Sequence, residues 1–246
     1  MLRLCVIGDP VAHSLSPAIH GALLRQRGIM GSYEAVTVAP HALADFVASA
    51  RAGAYDGFNV TMPHKQAILP LLDAVERDAA VMGAVNTVVV RHGRAVGYNT
   101  DGTGFLRSLP FSVSGKRVLL LGSGGAASAL CRALVGAGAE VTVCCRHPER
   151  AAQWGVAVQP WEALSAADGD LLVNATPLGM EGHPSFESFD FLDAFCGTVC
   201  DLVYQPRETA LLAAARARGL PTIDGLALLH AQAELAFELF TAGEDL

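Results

Sequence analysis

The sequence predicts an α/β protein of two domains, on three observations. Short apolar runs alternate with helix-length amphipathic segments from end to end, as strands crossed by helices do. The pattern restarts after the polar turn Ser114-Gly115-Lys116. The restart is a buried-strand run, Arg117–Leu121, that ends in a cluster of glycines and feeds a helix. A chain of 246 residues has room for two domains of ordinary size, each able to bury a core without a disulfide or metal staple.

In the first half, the spacing predicts strands over 2–8, 32–38, 55–60 and 85–90. A hairpin at Arg91-His92-Gly93-Arg94 leads to a further strand over 94–98. Helices are expected over 17–28, 41–52 and 64–82, the last broken at Pro70, and the sheet is expected to be parallel. In the second half, apolar runs at 117–121, 140–145, 156–158, 171–174, 198–203 and 221–223 suit a doubly wound nucleotide-binding (Rossmann) domain. The final helix, 225–241, has no strand after it. The expected organisation is therefore a first domain, 1–101, on which the segment 225–246 packs back, and a second domain, 102–224.

Composition removes several classes of function. With 52% hydrophobic and 17% charged residues, the chain is too apolar to be disordered. No run of about 18 uninterrupted apolar residues could span a membrane. The opening Met1–Gly8 reads as a strand rather than a signal peptide. A net charge of −7 without a basic run argues against nucleic acid as a partner. The six cysteines lack metal-ligand spacing and read as the reduced thiols of a cytoplasmic protein. His13, His20, His64 and His147 form no metal pair with carboxylates, so no metal is expected.

Gly122-Ser123-Gly124-Gly125-Ala126-Ala127 stands between a strand and a helix, and in that context Gly-x-Gly-x-x-Ala is a specific signal. Gly122 permits a tight turn, Gly124 lets the backbone approach a pyrophosphate, and Ala127 lets helix and strand pack closely. The helix N-terminus offers free N–H groups and a positive dipole end to phosphates. An NAD site places a carboxylate about 20 residues further on, for the ribose 2′-hydroxyl. Here the strand 140–145 ends in Arg146-His147-Pro148-Glu149-Arg150, and Glu140 lies at the wrong end. A guanidinium at Arg146, with Arg150 beside it, suits a 2′-phosphate, so the expected cofactor is NADP(H).

Polar residues gather where strands of the first domain end. Asp9–Pro17 carries Ser14 and Ser16; Ser16-Pro17 also reads as a helix N-cap followed by proline. Two hydroxyls beyond a strand suit a small polyol or carboxylate. Phe58-Asn59-Val60-Thr61-Met62-Pro63-His64-Lys65 repeats the arrangement. Of the 17 basic residues 15 are Arg, so a Lys at 65 is a choice, and Arg would not release a proton. A first-turn lysine also opposes the helix dipole, a field that readies it for proton transfer. Asn86 stands at a strand entrance, and Asp101 precedes a helix that it caps or serves as a functional carboxylate. Thr176 and Met180 follow another strand end, where a nicotinamide would reach. Leu202 and Tyr204 end the next strand, and Gln232 is a polar residue on an otherwise apolar helix.

Taken in order, these motifs resemble those of the shikimate dehydrogenases over nearly the whole chain. They are His13-Ser14-x-Ser16-Pro17, Asn59-Val60-Thr61-x-Pro63-x-Lys65, Ala84-Val85-Asn86-Thr87 and Asn99-Thr100-Asp101-Gly102. They continue with Gly122-x-Gly124-Gly125-Ala126, Asn174-Ala175-Thr176-Pro177, Asp201-x-x-Tyr204-x-Pro206-x-x-Thr209 and Gly225…Gln232-Ala233. The resemblance implies reversible NADPH-dependent reduction of 3-dehydroshikimate to shikimate, in aromatic amino-acid biosynthesis. It assigns Ser14, Ser16, Thr61, Asn86, Asp101 and Gln232 to shikimate, with Tyr204 nearby, and Lys65 to acid/base work beside Asp101. Gly122, Ser123, Gly124, Gly125 and Ala126, with Cys145, Arg146, His147 and Arg150, would hold NADP. Thr176, Met180, Leu202 and Gly225 would lie on the nicotinamide side. The chain departs from the family where Cys145-Arg146-His147 replaces a frequent Asn-Arg-Thr, and at Ser128 and Leu228. The expected partner is the small-molecule substrate alone, in a monomer or homodimer. Two rivals stand: a broader quinate/shikimate dehydrogenase able to use NAD, and a non-catalytic NADP-binding sensor, which would have no need of Lys65 with Asp101.

Overall fold

The computed structural model describes residues 1–242 and divides the chain into two units. One comprises Met1–Asp101 and the stretch from His230 onward; the other is Gly102–Leu229. Residues 243–246 of the expected C-terminal segment lie outside the described residues.

In the first unit, β1 (Leu2–Gly8), β2 (Gly31–Thr37), β3 (Gly57–Val60), β4 (Ala74–Val75), β5 (Thr87–Arg91) and β6 (Arg94–Tyr98) form one sheet, ordered β2-β1-β3-β5-β6-β4. β1 is parallel to β2 and β3, whereas β5 is antiparallel to both β3 and β6. The sheet is thus mixed rather than parallel. The Arg91–Arg94 hairpin reverses the chain with Arg91 opposite Arg94, and a two-residue turn can only join antiparallel strands.

The helices of this unit are α1 (Ser16–Gln26), α2 (Leu43–Ser49), α3 (His64–Ala67) and α4 (Arg77–Met82). The single helix expected over 64–82 does not form. α3 gives way to a tight 3-10 turn at Leu69–Leu71, then β4, then α4. Pro70 cannot donate to the helix ladder. Asp73 N and Glu76 N donate instead to Ala95 O and Gly97 O, so the intervening residues join the sheet beside β6. Glu76 then accepts from Asp78 N at 2.8 Å and starts α4 afresh.

Alternation along the strands builds two apolar faces. Cys5, Ile7, Phe58, Val60 and Val88 pack with Ile68 on one side. Leu4 and Val89 pack with Ala236 and Phe240 on the other.

α5 (Asp101–Ser108) opens at the last residue before the second unit, whose sheet is wholly parallel. It contains β7 (Arg117–Leu121), β8 (Glu140–Cys145), β9 (Ala157–Pro160), β10 (Leu171–Asn174), β11 (Thr198–Asp201) and β12 (Thr222–Ile223), ordered β12-β11-β10-β7-β8-β9. α6 (Gly125–Gly136), α7 (Pro148–Ala151) and α8 (Ala210–Ala217) lie within this unit, and α9 (Gly225–Thr241) begins in it. Counted from β7, the order is 3-2-1-4-5-6, that of a doubly wound dinucleotide-binding sheet. The connections reverse between β7 and β10, and ligands of such sheets bind beyond the carboxyl ends of the strands at that point. Among the described residues no helix is long and apolar enough to cross a membrane.

Candidate active site

In the first unit the parallel β1 and β3 bring two loops to one end of the sheet, beyond their carboxyl ends. Asp9 N donates to Met62 O at 3.0 Å and Thr61 N to Ile7 O at 2.9 Å. Ser14 Oγ accepts from Ser16 N at 3.2 Å. Ser16 was open to reading as a helix cap, and it is not one. Leu15, in helical backbone conformation, occupies the cap position, and no side chain caps α1. That places Ser16 one residue inside the helix, where its hydroxyl stands buried and within hydrogen-bonding reach of the Tyr33 hydroxyl.

Lys65, Asp101 and Asn86 meet directly. Lys65 Nζ donates to Asp101 Oδ2 at 2.6 Å, and Asn86 Nδ2 donates to Asp101 Oδ1 at 2.7 Å. The pair is part-buried, with side-chain exposures of 21% for Lys65 and 13% for Asp101. Val85 N donates to Lys65 O, which ties α3 to the entrance of β5. Asp101 does not serve as a plain helix cap, since both carboxylate oxygens are taken up by these side chains. Asn99 Oδ1 accepts from Asp101 N at 3.0 Å and performs that kind of task. The helix dipole expected to oppose Lys65 is not the field it meets. α3 is only four residues long, too short for an appreciable macrodipole, so the carboxylate of Asp101 takes that place. Thr61 stands half-buried in the same loop.

In the second unit β7 runs into the glycine turn. Gly122 has φ of +114°, and a Cβ there would come within 3.1 Å of Thr176 Cγ2 and 3.2 Å of Ala175 O. Gly124 occupies the cap position of α6 in extended backbone without a capping side chain. A side chain built at Gly124 or Gly125 would meet nothing within 4 Å, so the turn leaves room beside it, and the first N–H groups of α6 have no intrahelical acceptor. Ser123 and Ala126 flank them, half-buried, while Ala127 is fully buried where α6 meets the sheet. This is a cradle that fits a pyrophosphate.

Beyond β8, Arg146, His147 and Arg150 are exposed or nearly so, and His147 Nδ1 stands 3.3 Å from Glu149 Oε1. Among the described residues no carboxylate pairs with Arg146 or Arg150, which leaves both guanidinium groups available to an anion. Cys145 places its side chain in the hydrophobic core, so only its backbone reaches this loop.

The carboxyl ends of β10 and β11 are held by a buried carboxylate. Asp201 accepts from Asn174 Nδ2 at 2.8 Å, Val203 N at 3.0 Å and Thr209 Oγ1 at 2.6 Å. Burial pushes its carboxyl up to about 6, against these hydrogen bonds. Asn174 Oδ1 in turn accepts from Thr176 N and Thr176 Oγ1, fixing the turn that faces Gly122. Met180, Leu202 and Tyr204 are half-buried along the following loops. Gly225 lies so close to Leu202 that a Cβ would collide with its carbonyl oxygen. Gln232 is half-buried on α9, in the part of that helix belonging to the first unit.

The sequence gives Tyr33, Thr87 and Thr100 no role of their own, and marks Asn59 as a polar strand position and a member of the Asn59-Val60-Thr61 motif. The signals for Thr87 and Thr100 are adjacency to Asn86 and Asp101 and membership of the motifs Ala84-Val85-Asn86-Thr87 and Asn99-Thr100-Asp101-Gly102. Tyr33 carried none, since β2 is an edge strand of mixed exposure.

A dinucleotide cradle on a doubly wound sheet, together with a lysine–carboxylate pair, defines the class of two-unit, dinucleotide-dependent oxidoreductases. The family model "Shikimate dehydrogenase substrate binding domain" matches residues 6–88. A "Shikimate dehydrogenase (NADP(+))" of Acidiphilium cryptum is 47% identical over 94% of this chain and 87% of its own length. The crystal structure of shikimate 5-dehydrogenase from Thermus thermophilus, in complex with NADP(H) and shikimate, matches with a TM-score of 0.89 at 42% identity, covering 98% of this chain and 94% of that one. A ligand-free 5-ketofructose reductase of Gluconobacter sp. strain CHM43 matches with a TM-score of 0.85 at 32% identity, over 98% of this chain and 92% of that one. The chain belongs to the shikimate dehydrogenase family.

Proposed function

We propose that this protein catalyses the reversible NADPH-dependent reduction of 3-dehydroshikimate to shikimate. The observation that carries the mechanism is the Lys65 Nζ–Asp101 Oδ2 contact of 2.6 Å beside the serine- and threonine-bearing loops. When bound, NADPH supplies the hydride. Lys65 Nζ hands its proton to the carbonyl oxygen as that oxygen becomes an alkoxide, and takes it back in the reverse direction. Asp101, accepting from both Asn86 and Lys65, orients Lys65 Nζ. It also offers a substrate hydroxyl an acceptor.

Ser14 and Ser16 take the substrate carboxylate. Thr61, Asn86 and Gln232 hold ring hydroxyls, with Tyr204 nearby. The region 1–101, with the returning part of the last helix, is the substrate domain, and 102–224 the NADP domain. The first-turn N–H groups of α6, with Gly122, Ser123, Gly124, Gly125 and Ala126, hold the pyrophosphate. Arg146 and Arg150 take the 2′-phosphate, with Cys145 and His147 completing the loop around them. Thr176, Met180, Leu202 and Gly225 shape the nicotinamide side. Six free thiols, five of them buried, suit the reducing cytoplasm.

Initial rates of NADP+ and NAD+ reduction with shikimate, quinate and a ketose control test this reading. Shikimate with NADP+ is expected to lead quinate by at least about 10-fold in kcat/KM, because the extra hydroxyl of quinate would be buried unpaired. Equal efficiency on quinate would replace the reading with the broader one, and binding without turnover would make the protein a sensor.

A further inference from the structure

Behind Asp101 lies a line of side chains whose hydrogen-bond directions are forced by the backbone. Thr100 N, which can only donate, lies 2.8 Å from Asn86 Oδ1. The oxygen of the Asn86 amide therefore faces Thr100, and its Nδ2 faces Asp101. Asn86 O, which can only accept, lies 3.1 Å from Asn59 Nδ2. The amide of Asn59 is thereby fixed too, and its Oδ1 must accept from the Tyr33 hydroxyl at 2.7 Å. Asn59 Nδ2 also donates to Thr87 Oγ1 at 3.0 Å, so the Thr87 proton goes to Asn86 Oδ1 at 2.9 Å. The donors point one way throughout, from Tyr33 through Asn59, Thr87 and Asn86 to Asp101. Asn59, Thr87, Asn86 and Thr100 are all buried. At the far end the Tyr33 ring lies flat on His20, with centroids 4.2 Å apart and planes within 2°.

We infer that Tyr33, Asn59 and Thr87 are positioning residues: a one-way hydrogen-bond relay that fixes the Asn86 amide and, through it, the orientation of the Asp101 carboxylate towards Lys65. The inference rests on the proposed acid/base role of that pair and deepens it. The Asn86 amide spends both of its protons, on Asp101 Oδ1 and on Thr100 Oγ1, and its oxygen accepts from Thr87 and Thr100 N. Nothing in this arrangement can rotate without breaking a buried bond. The orientation of Asp101 is thus set in advance of substrate, which is how positioned groups contribute to rate.

Thr87→Val keeps the shape and removes the hydroxyl, and Thr87→Ser restores it. The relay predicts a fall in kcat of about 10-fold for Thr87→Val, the worth of one buried hydrogen bond to a functional amide, with KM for shikimate within about threefold of wild type. It predicts recovery to within about threefold in Thr87→Ser, whereas a purely structural role would track thermal stability. A kcat for Thr87→Val within twofold of wild type, or equal slowing in Thr87→Ser, would overturn the relay. Should Thr87→Val not fold, Tyr33→Phe carries the test, with a loss of about two- to fivefold in kcat expected and an unchanged kcat contradicting. Wild-type turnover with shikimate and NADP+ judges the functional reading separately. If that turnover were absent, side-chain amide exchange of Asn86 by NMR would still judge the relay. Faster exchange in Thr87→Val than in wild type and Thr87→Ser supports it, and equal exchange in all three refutes it.

Discussion

The two units present their polar chemistry in opposite ways. The first carries a connected set of side chains, from Tyr33 to Lys65, laid across the end of a mixed sheet. The second offers mostly backbone: a glycine turn with φ of +114° at Gly122, the open N-terminus of α6, and a Gly225 that admits no Cβ beside Leu202. Side chains move and hold protons, whereas backbone N–H groups only bind. On the proposed reading, proton transfer falls to the first unit and binding of the cofactor's phosphates to the second. Truncating Lys65 or Asp101 should then damage rate, and truncating Arg146 should damage cofactor affinity.

The largest expected effect is at Lys65. Lys65→Ala should cut kcat by about 10²–10⁴-fold while KM changes far less, read from initial rates with shikimate. Next comes Arg146→Ala, which should weaken NADPH by about 10–150-fold and leave NADH nearly untouched, read by titrating both. A rate loss without an affinity loss at Arg146 would break the division of labour. Replacing Ser14 or Ser16 by Ala should weaken shikimate turnover and narrow the preference over quinate, by about 10-fold at most. Ser16 does not cap α1, but its buried hydroxyl meets that of Tyr33, so its removal should raise KM as well as lower Tm, and a drop in Tm with KM unchanged would contradict its place in the site.

The smallest effects separate the units by pH. His20 is fully buried in the first unit, and its two ring nitrogens have no hydrogen-bond partner among the described residues. Burial pushes its imidazole down to about 3 from an ordinary value of 6.5. Its contribution to stability is therefore present above pH 6.5 and is lost as pH falls towards 3, by about 1.4 kcal/mol per pH unit at most. Asp201 in the second unit has the reverse sign. With its carboxyl up near 6, its favourable contribution is present below pH 3.8 and lost as pH rises through 6. Denaturant titrations between about pH 7.5 and 5 should therefore show a slope that is the difference of the two, which His20→Phe should tilt towards stability rising as pH falls. An unchanged pH slope in that variant would remove His20 as its source.

Much of this was legible from the sequence, for physical reasons that differ by region. The glycine turn was readable because it is built from backbone, and the residue pattern that permits a close approach is itself the signal. Lys65 and Asp101 were readable because each stands in a polar run at a strand end. The break in 64–82 was half legible. Pro70 announced it, but pairing of β4 with β6 depends on Ala95 and Gly97 offering their carbonyls, a tertiary fact. The antiparallel β5 was implied by the hairpin, yet the overall α/β alternation argued for a parallel sheet. Tyr33 was illegible, because its part depends on β2 packing against α1, which brings the ring onto His20 and the hydroxyl to Asn59.

The central claim is that Lys65 and Asp101 act as one unit in proton transfer. A double-mutant cycle of Lys65→Ala and Asp101→Asn, read as kcat for shikimate oxidation with saturating NADP+, tests it most directly. If the pair acts together, each single variant loses most of the activity and the double variant is little worse than Lys65→Ala alone. If the two losses multiply in full, the residues work independently and the account of the pair is wrong.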